Sequence, residues 1–241
     1  MRLDQKASEL FQKSRSSCHD LIKRGLISVN GKTIKKPSTE VNDFDKIELL
    51  SQHSYVSRGG EKLSGVLGAL SLPLQGLRGL DVGASTGGFT DCLLQFGVKS
   101  MVCVDVGHHQ LHESLLNHPQ VENFEGTSIS DFRNQCTETF DIIVMDVSFT
   151  SILNVFDDLV PLAHPKTWLI LLFKPQFEIG ARYLNKSGLV KSSRQAMQIQ
   201  QHIIQTIVSK GYRLHLSIDS LLKGKEGNQE TFLIFQKKEE L

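Results

Sequence analysis

Leu80-Asp81-Val82-Gly83-Ala84-Ser85-Thr86-Gly87-Gly88-Phe89 is the stretch whose reading decides the fold. Its first residues read as the end of a buried strand, its middle as a tight turn, and Gly88-Phe89 as the start of a helix. Three glycines within six residues let a ligand approach the backbone where a Cβ would block it. The turn's N–H groups and the helix N-terminus offer donors to a carboxylate or phosphate.

On either side of this turn, strand and helix patterns alternate. Strands are expected at 77–82, 101–106, 121–125, 142–146, 168–173, 213–219 and 231–236, with helices near 87–97, 108–117, 128–135, 150–163 and 192–210. Such alternation predicts an α/β fold, a seven-stranded mostly parallel sheet with helices on both faces. The loop at 223–229 is too short for a helical crossover, so the last strand is expected to run antiparallel.

The N-terminal fifty residues read differently. Helical spacing covers 2–12 and 15–23, Asn30-Gly31 marks a type I′ hairpin, and 46–50 supplies another strand. Residues 1–39 carry nine Lys/Arg against three Asp/Glu, although the whole chain has a net charge of only +1. A small basic α+β module over 1–50, a linker over 51–62 and a large domain over 63–241 are expected. The basic module suits a polyanion or is simply a solvated face.

Composition narrows the classes. The longest large-residue apolar run, 168–173, is far too short for a bilayer span, and no signal-like segment opens the chain, so a cytoplasmic protein is expected. Cys18, Cys92, Cys103 and Cys136 lack metal-ligand spacing and read as thiols, most of them buried.

Three ligands compete for the glycine turn. Gly83-Ala84-Ser85-Thr86-Gly87 fits the nucleophile elbow of a hydrolase, with His164, His202 and His215 downstream as partners. A nicotinamide dinucleotide would want G-x-G-x-x-G, from which the spacing departs. S-adenosylmethionine suits Asp81 beside an ammonium, the turn beside a carboxylate, and Asp105, 22 residues past Gly83, beside ribose hydroxyls. The residues read for that ligand are Asp81, Gly83, Ala84, Ser85, Gly87, Gly88, Phe89 and Asp105. A plainer reading has Asp81 and Asp105 only capping turns. Asp146 and Lys174 also end strands, Glu230 precedes the last one, and Lys62 precedes the first. In a parallel sheet those strand ends line the ligand crevice.

Two resemblances rest on these motifs. Arg2-Leu3-Asp4, Ser14-Arg15-Ser16, Ile22-Lys23-Arg24-Gly25, Val29-Asn30-Gly31-Lys32 and Lys36-Pro37 resemble an S4 RNA-binding domain. Ser57-Arg58-Gly59-Gly60-Glu61-Lys62-Leu63, the Asp81 to Asp91 motif, Asp105-Val106-Gly107, Asp146-Val147-Ser148-Phe149, Lys174-Pro175-Gln176-Phe177-Glu178 and Gly227-Asn228-x-Glu230 resemble the TlyA family of ribosomal RNA methyltransferases, also labelled hemolysin A. The large domain further resembles FtsJ-type ribose methyltransferases. These resemblances imply a Rossmann-like methyltransferase fold and S-adenosylmethionine-dependent 2′-O-methylation of rRNA, at cytidine in the family. They imply no metal, a ribosomal RNA or subunit as partner, and a monomer. The FtsJ-type Lys-Asp-Lys-Glu tetrad falls on Lys62, Asp146, Lys174 and Glu230, with Lys174 as base or hydroxyl polariser, Asp146 orienting it, and Lys62 and Glu230 positioning the ribose. RNA contacts are expected at Arg2, Arg15, Lys23, Arg24, Lys32 and Arg58. The chain departs from the family at Ser128-Ile129-Ser130, where Asn-x-Arg is frequent, and at Lys191-Ser192, where Arg-Asp is common. A pore-forming hemolysin and an RNA-binding protein that holds the cofactor without turnover are the competing functions.

Overall fold

The computed structural model describes residues 1–23, 25–50, 55–70 and 72–238. The chain forms two compact units, Met1–Ser54 and Tyr55–Leu241. In the first, α1 (Leu3–Phe11) and α2 (Arg15–Lys23) precede β1 (Ile27–Val29), β2 (Lys32–Thr33) and β3 (Ile47–Leu49). β1 lies between the other two strands and pairs antiparallel with both. Asn30 and Gly31 have φ of 52° and 76°, the left-handed pair that a type I′ turn demands. Leu3, Ala7, Cys18, Leu21, Ile22, Ile27, Val41 and Ile47 bury together as its core.

The second unit begins with α3 (Arg58–Leu70), which starts inside the expected linker. The helical spacing of Leu63, Val66 and Leu67 extends back to Gly60 and Lys62, and all five are buried. There follow β4 (Arg78–Val82), α4 (Gly88–Gln95), β5 (Ser100–Asp105), α5 (Glu113–Leu116), β6 (Val121–Glu125), α6 (Ile129–Gln135), β7 (Phe140–Met145), α7 (Ile152–Leu159), β8 (Ala163–Phe173), α8 (Pro175–Glu178), α9 (Ser193–Ser209), β9 (Tyr212–Asp219) and β10 (Thr231–Lys237). The sheet order is β6-β5-β4-β7-β8-β10-β9. Strands β4 to β8 are parallel, and β10 inserts antiparallel between β8 and β9.

The central strands are apolar almost throughout because both faces are covered. Leu80, Val82, Ile143, Met145, Leu169 and Leu171 pack toward one cluster with Phe156, Ile203 and Ile207. Ile142, Val144, Ile170 and Leu172 pack toward the other with Leu63, Leu67, Phe89 and Leu93. Chain order reverses beside β4, which runs on to β5 and β6 on one side while β7 and β8 lie on the other. Such a switch point opens a crevice at the carboxyl ends of β4 and β7.

The helix expected over 108–117 shrinks to Glu113–Leu116. The Glu125 carboxylate accepts from the N–H groups of His109, Gln110 and Leu111, which holds that stretch as a loop. Cys18, Cys92 and Cys103 are buried thiols, and burial pushes Cys92 up to about 12.

Candidate active site

The glycine turn stands at the switch point, and its backbone is held by its own chain. Gly83 N–H donates to Val104 O at 2.8 Å, Ser85 N–H to Asp105 Oδ2 at 2.8 Å and Gly87 N–H to Ala84 O at 2.7 Å. Gly83, Ser85 and Gly87 thus spend their N–H groups on the chain itself, on Val104 and Asp105 of β5 and on Ala84 of the turn. The glycines are also required by the chain itself. A Cβ at Gly83 would lie 2.9 Å from Asp146 O, one at Gly87 2.3 Å from Leu115 Cδ1, and one at Gly88 2.1 Å from Ser57 Oγ. Gly83 and Gly87 have φ of 78° and 84°, left-handed backbone that favours glycine.

Asp81 is buried, and its Oδ2 accepts from Thr90 N–H at 3.0 Å and Thr90 Oγ1–H at 2.7 Å. Its Oδ1 is buried with no partner, and burial pushes the acid up to about 7. Asp105 joins the turn to the end of β5, accepting from Ser85 N–H and, at 2.7 Å, from Gly107 N–H. Two adjoining cavities meet here. One of about 570 Å³ is lined by Gly83, Ser85, Asp105, Gln110, Ile129 and Phe149, among others. The other, of about 180 Å³, is lined by Asp81, Ala84, Phe89, Asp146, Ser148 and Lys174 with Ser57 and Gly59.

The four tetrad positions form two ion pairs. Lys174 Nζ lies 2.5 Å from Asp146 Oδ1 and donates to Ser148 Oγ at 2.9 Å. The Asp146 contact is ionic and off the hydrogen-bond direction, so Oδ1 accepts no aligned hydrogen bond although it is buried. Lys62 Nζ donates to Glu230 Oε2 at 2.5 Å in a pair buried more deeply. Thr231 is in register with Phe173, which sets Glu230 beside Lys174 across the β8–β10 ladder.

Other expected site residues have further contacts or lie elsewhere. Phe89 packs in the core on Phe232, with ring centroids 5.9 Å apart, and also lines the smaller cavity. Arg58, expected to contact RNA, donates through Nη2 to Lys223 O at 2.8 Å and so tethers the loop before β10. Lys23 and Lys32 are exposed, while Arg2 and Arg15 both contact the buried Asp4. Arg24 lies outside the described residues. The hydrolase reading is overturned by position. His164 pairs with Asp141 at the amino end of β8, and His215 stacks on Trp168 at the same end of the sheet. His202 is exposed on α9. Ser85 sits beyond the carboxyl end of β4, at the opposite edge.

Sequence reasoning passed over Ser148 and Phe149, although both follow Asp146 in its motif. Ser148 is the second partner of Lys174. Phe149 is 92% exposed, has φ of 64° and packs on Phe177, whose ring in turn lies under Lys174 Nζ at 5.7 Å. A bulky residue held in left-handed backbone and facing water is a strained arrangement that tends to mark a functional rim. Glu178, also in a motif, plays a structural part, accepting from Ile152 N–H at 2.8 Å and so capping α7. Among the described residues no cluster of His, Cys, Asp and Glu is placed to hold a metal ion, and no helix is long and apolar enough to cross a membrane.

This sheet order, with cavities at the switch point beside β4, defines the class: a Rossmann-like methyltransferase fold. The FtsJ-like methyltransferase family model matches residues 55–238 and the S4 domain model residues 1–47. Hemolysin A of Brachyspira hyodysenteriae is 35% identical, covering 95% of this chain and 97% of that protein. The 23S rRNA (cytidine-2′-O)-methyltransferase TlyA of Campylobacter jejuni is 32% identical, covering 98% and 100%. A solved Streptococcus thermophilus protein that carries a hemolysin name superposes with a TM-score of 0.75 at 29% identity, covering 99% of this chain and 89% of that one. The chain belongs to the TlyA family of FtsJ-like methyltransferases.

Proposed function

We propose that the protein transfers a methyl group from S-adenosylmethionine to a ribose 2′-hydroxyl of ribosomal RNA, at cytidine. The observation that carries this reading is the Lys174 ammonium, fixed between Asp146 and Ser148 at the mouth of the cavity that the glycine turn also lines.

The donor fits the residues present. Asp81 Oδ1 is a buried carboxylate oxygen without a partner at the smaller cavity, an arrangement suited to a cation, whereas Asp146 Oδ1 already has the Lys174 ammonium beside it. Asp81 would meet the donor's ammonium, and Asp105, at the edge of the larger cavity, its ribose. When bound, S-adenosylmethionine supplies an electrophilic methyl group.

An alcohol is a weak nucleophile, and its proton must leave as the new O–C bond forms. Lys174 is the group that takes or polarises that proton, with Asp146 and Ser148 aiming its Nζ. A lysine takes a proton only in its neutral form, whereas its ammonium can only polarise the hydroxyl by donating a hydrogen bond to the oxygen. The Lys62–Glu230 pair stands beside it at the start of β10, where it positions the ribose. Phe149 offers an exposed ring for the target base to stack on. The basic first unit recruits the RNA through phosphate contacts.

Lys174→Ala tests the assignment. The variant should lose methyl transfer by at least about 100-fold, the usual scale for a lost general base. It should still bind S-adenosylmethionine by calorimetry. Full activity in the variant would overturn the role of Lys174.

A further inference from the structure

Asp4 is an acid placed where a basic RNA-binding module should not want one. It stands in the first turn of α1, is 2% exposed, and its N–H donates to Pro37 O at 3.0 Å. Arg2 forks onto it, Nε to Oδ1 at 3.0 Å and Nη2 to Oδ2 at 2.9 Å. Arg15, the first residue of α2, approaches from the other side, with Nε 3.3 Å from Oδ2 and Nη2 3.5 Å from Oδ1. His19 Nδ1 lies 3.8 Å from Oδ2. The Arg2 guanidinium, followed by that of Arg15, holds this carboxyl well below the usual range.

We propose that Asp4 is a positioning residue that holds Arg2 and Arg15 as a preformed clamp for an RNA phosphodiester, an inference that rests on rRNA being the substrate. One carboxylate cannot neutralise two guanidiniums, so the cluster keeps a positive charge. The side chains of Arg2 and Arg15 remain 46% and 55% exposed. Each guanidinium carries five N–H donors in a rigid fork, of which Arg2 spends two on Asp4. Arg15 adds its own Nη2 contact to the same carboxylate, and both half-exposed side chains are thereby held, so a phosphate does not have to freeze two long chains on arrival. Beside them α2 begins, with the exposed Ser14 and Ser16 at its start, their hydroxyls 3.0 Å apart in a hydrogen bond and Ser14 Oγ accepting from Ser17 N–H at 3.2 Å. Two oriented cations and a helix start make a phosphate-shaped surface.

Asp4→Asn separates this clamp from a simple basic patch. The substitution removes a negative charge, so a patch acting by net charge alone would bind RNA more tightly. A clamp that depends on aim binds more weakly. Full-length protein and variants are titrated with purified 16S and 23S rRNA at several salt concentrations, and methyl transfer is followed on the same RNA. The clamp predicts affinity about tenfold weaker for Asp4→Asn, the scale of one charge-assisted hydrogen bond. KM for RNA rises in step while kcat at saturation is unchanged. Arg15→Lys, which keeps the charge and loses the fork, shifts affinity the same way and serves if the Asp4 variant fails to fold. Equal or tighter binding by Asp4→Asn, or full affinity in Arg15→Lys, overturns the clamp alone. Failure of the unmodified protein to bind either rRNA overturns the rRNA reading and the clamp with it.

Discussion

Asp81 and Lys62 show how differently two buried charged residues of one crevice behave. Asp81 has one oxygen satisfied by Thr90 and the other unpartnered, so burial raises it to about 7. An unfolded aspartate loses its proton near ~3.9, so the folded state retains a proton that the unfolded chain has released. Stability should therefore fall as pH rises from about 4 and level off above about 7. Asp81→Asn should flatten that slope in melting curves taken from pH 5 to 8. An ammonium-bearing ligand needs the carboxylate, so S-adenosylmethionine affinity should rise across the same window, and calorimetry near pH 6 should show proton release on binding. Lys62 is fully compensated by Glu230, and the danger lies in breaking the pair. Lys62→Ala leaves Glu230 buried and alone, a loss of about 3–5 kcal/mol that urea unfolding would register. Lys174→Ala should be milder in the same assay, because Asp146 keeps 24% exposure and can be solvated. Loss of activity in the first variant thus mixes stability with chemistry, whereas in the second it reports chemistry.

At the scale of elements, the parallel strands were legible because burial on both faces writes them as apolar runs such as Ile142-Ile143-Val144-Met145. The antiparallel β10 followed from the short loop before it. The candidate site was legible as strand ends carrying Asp81, Asp105, Asp146 and Lys174. What the pattern hid were contacts made by residues distant in sequence. Glu125 turned the stretch after Val106 into a loop by binding three of its N–H groups. Leu115, Ser57 and Asp146 crowd the glycines of the turn, and none of the three is near them in the motif. Arg58, expected as an RNA contact, has a backbone carbonyl 165 residues away as a partner, which no local pattern announced. Ser148 and Phe149 carried no periodic or spacing signal, and only folding showed one touching Lys174 and the other standing in water.

For the whole molecule, the charge asymmetry and the two folding units tell one story. The first unit buries its own core and concentrates basic side chains around Asp4, while the second holds two cavities and paired Lys-acid groups at a switch point. The proposed recognition and the proposed chemistry thus rest on separate cores, so RNA affinity should change at Asp4 without touching Lys174. Everything proposed for the crevice requires that methyl groups reach a ribose oxygen of rRNA. Purified protein incubated with S-adenosylmethionine and ribosomal subunits or their rRNA answers this once the RNA is digested to nucleosides and the methylated products are identified by mass. The unmodified protein should yield 2′-O-methylcytidine and Lys174→Ala none; methyl groups on bases, or no methylated rRNA at all, would contradict the proposed reaction.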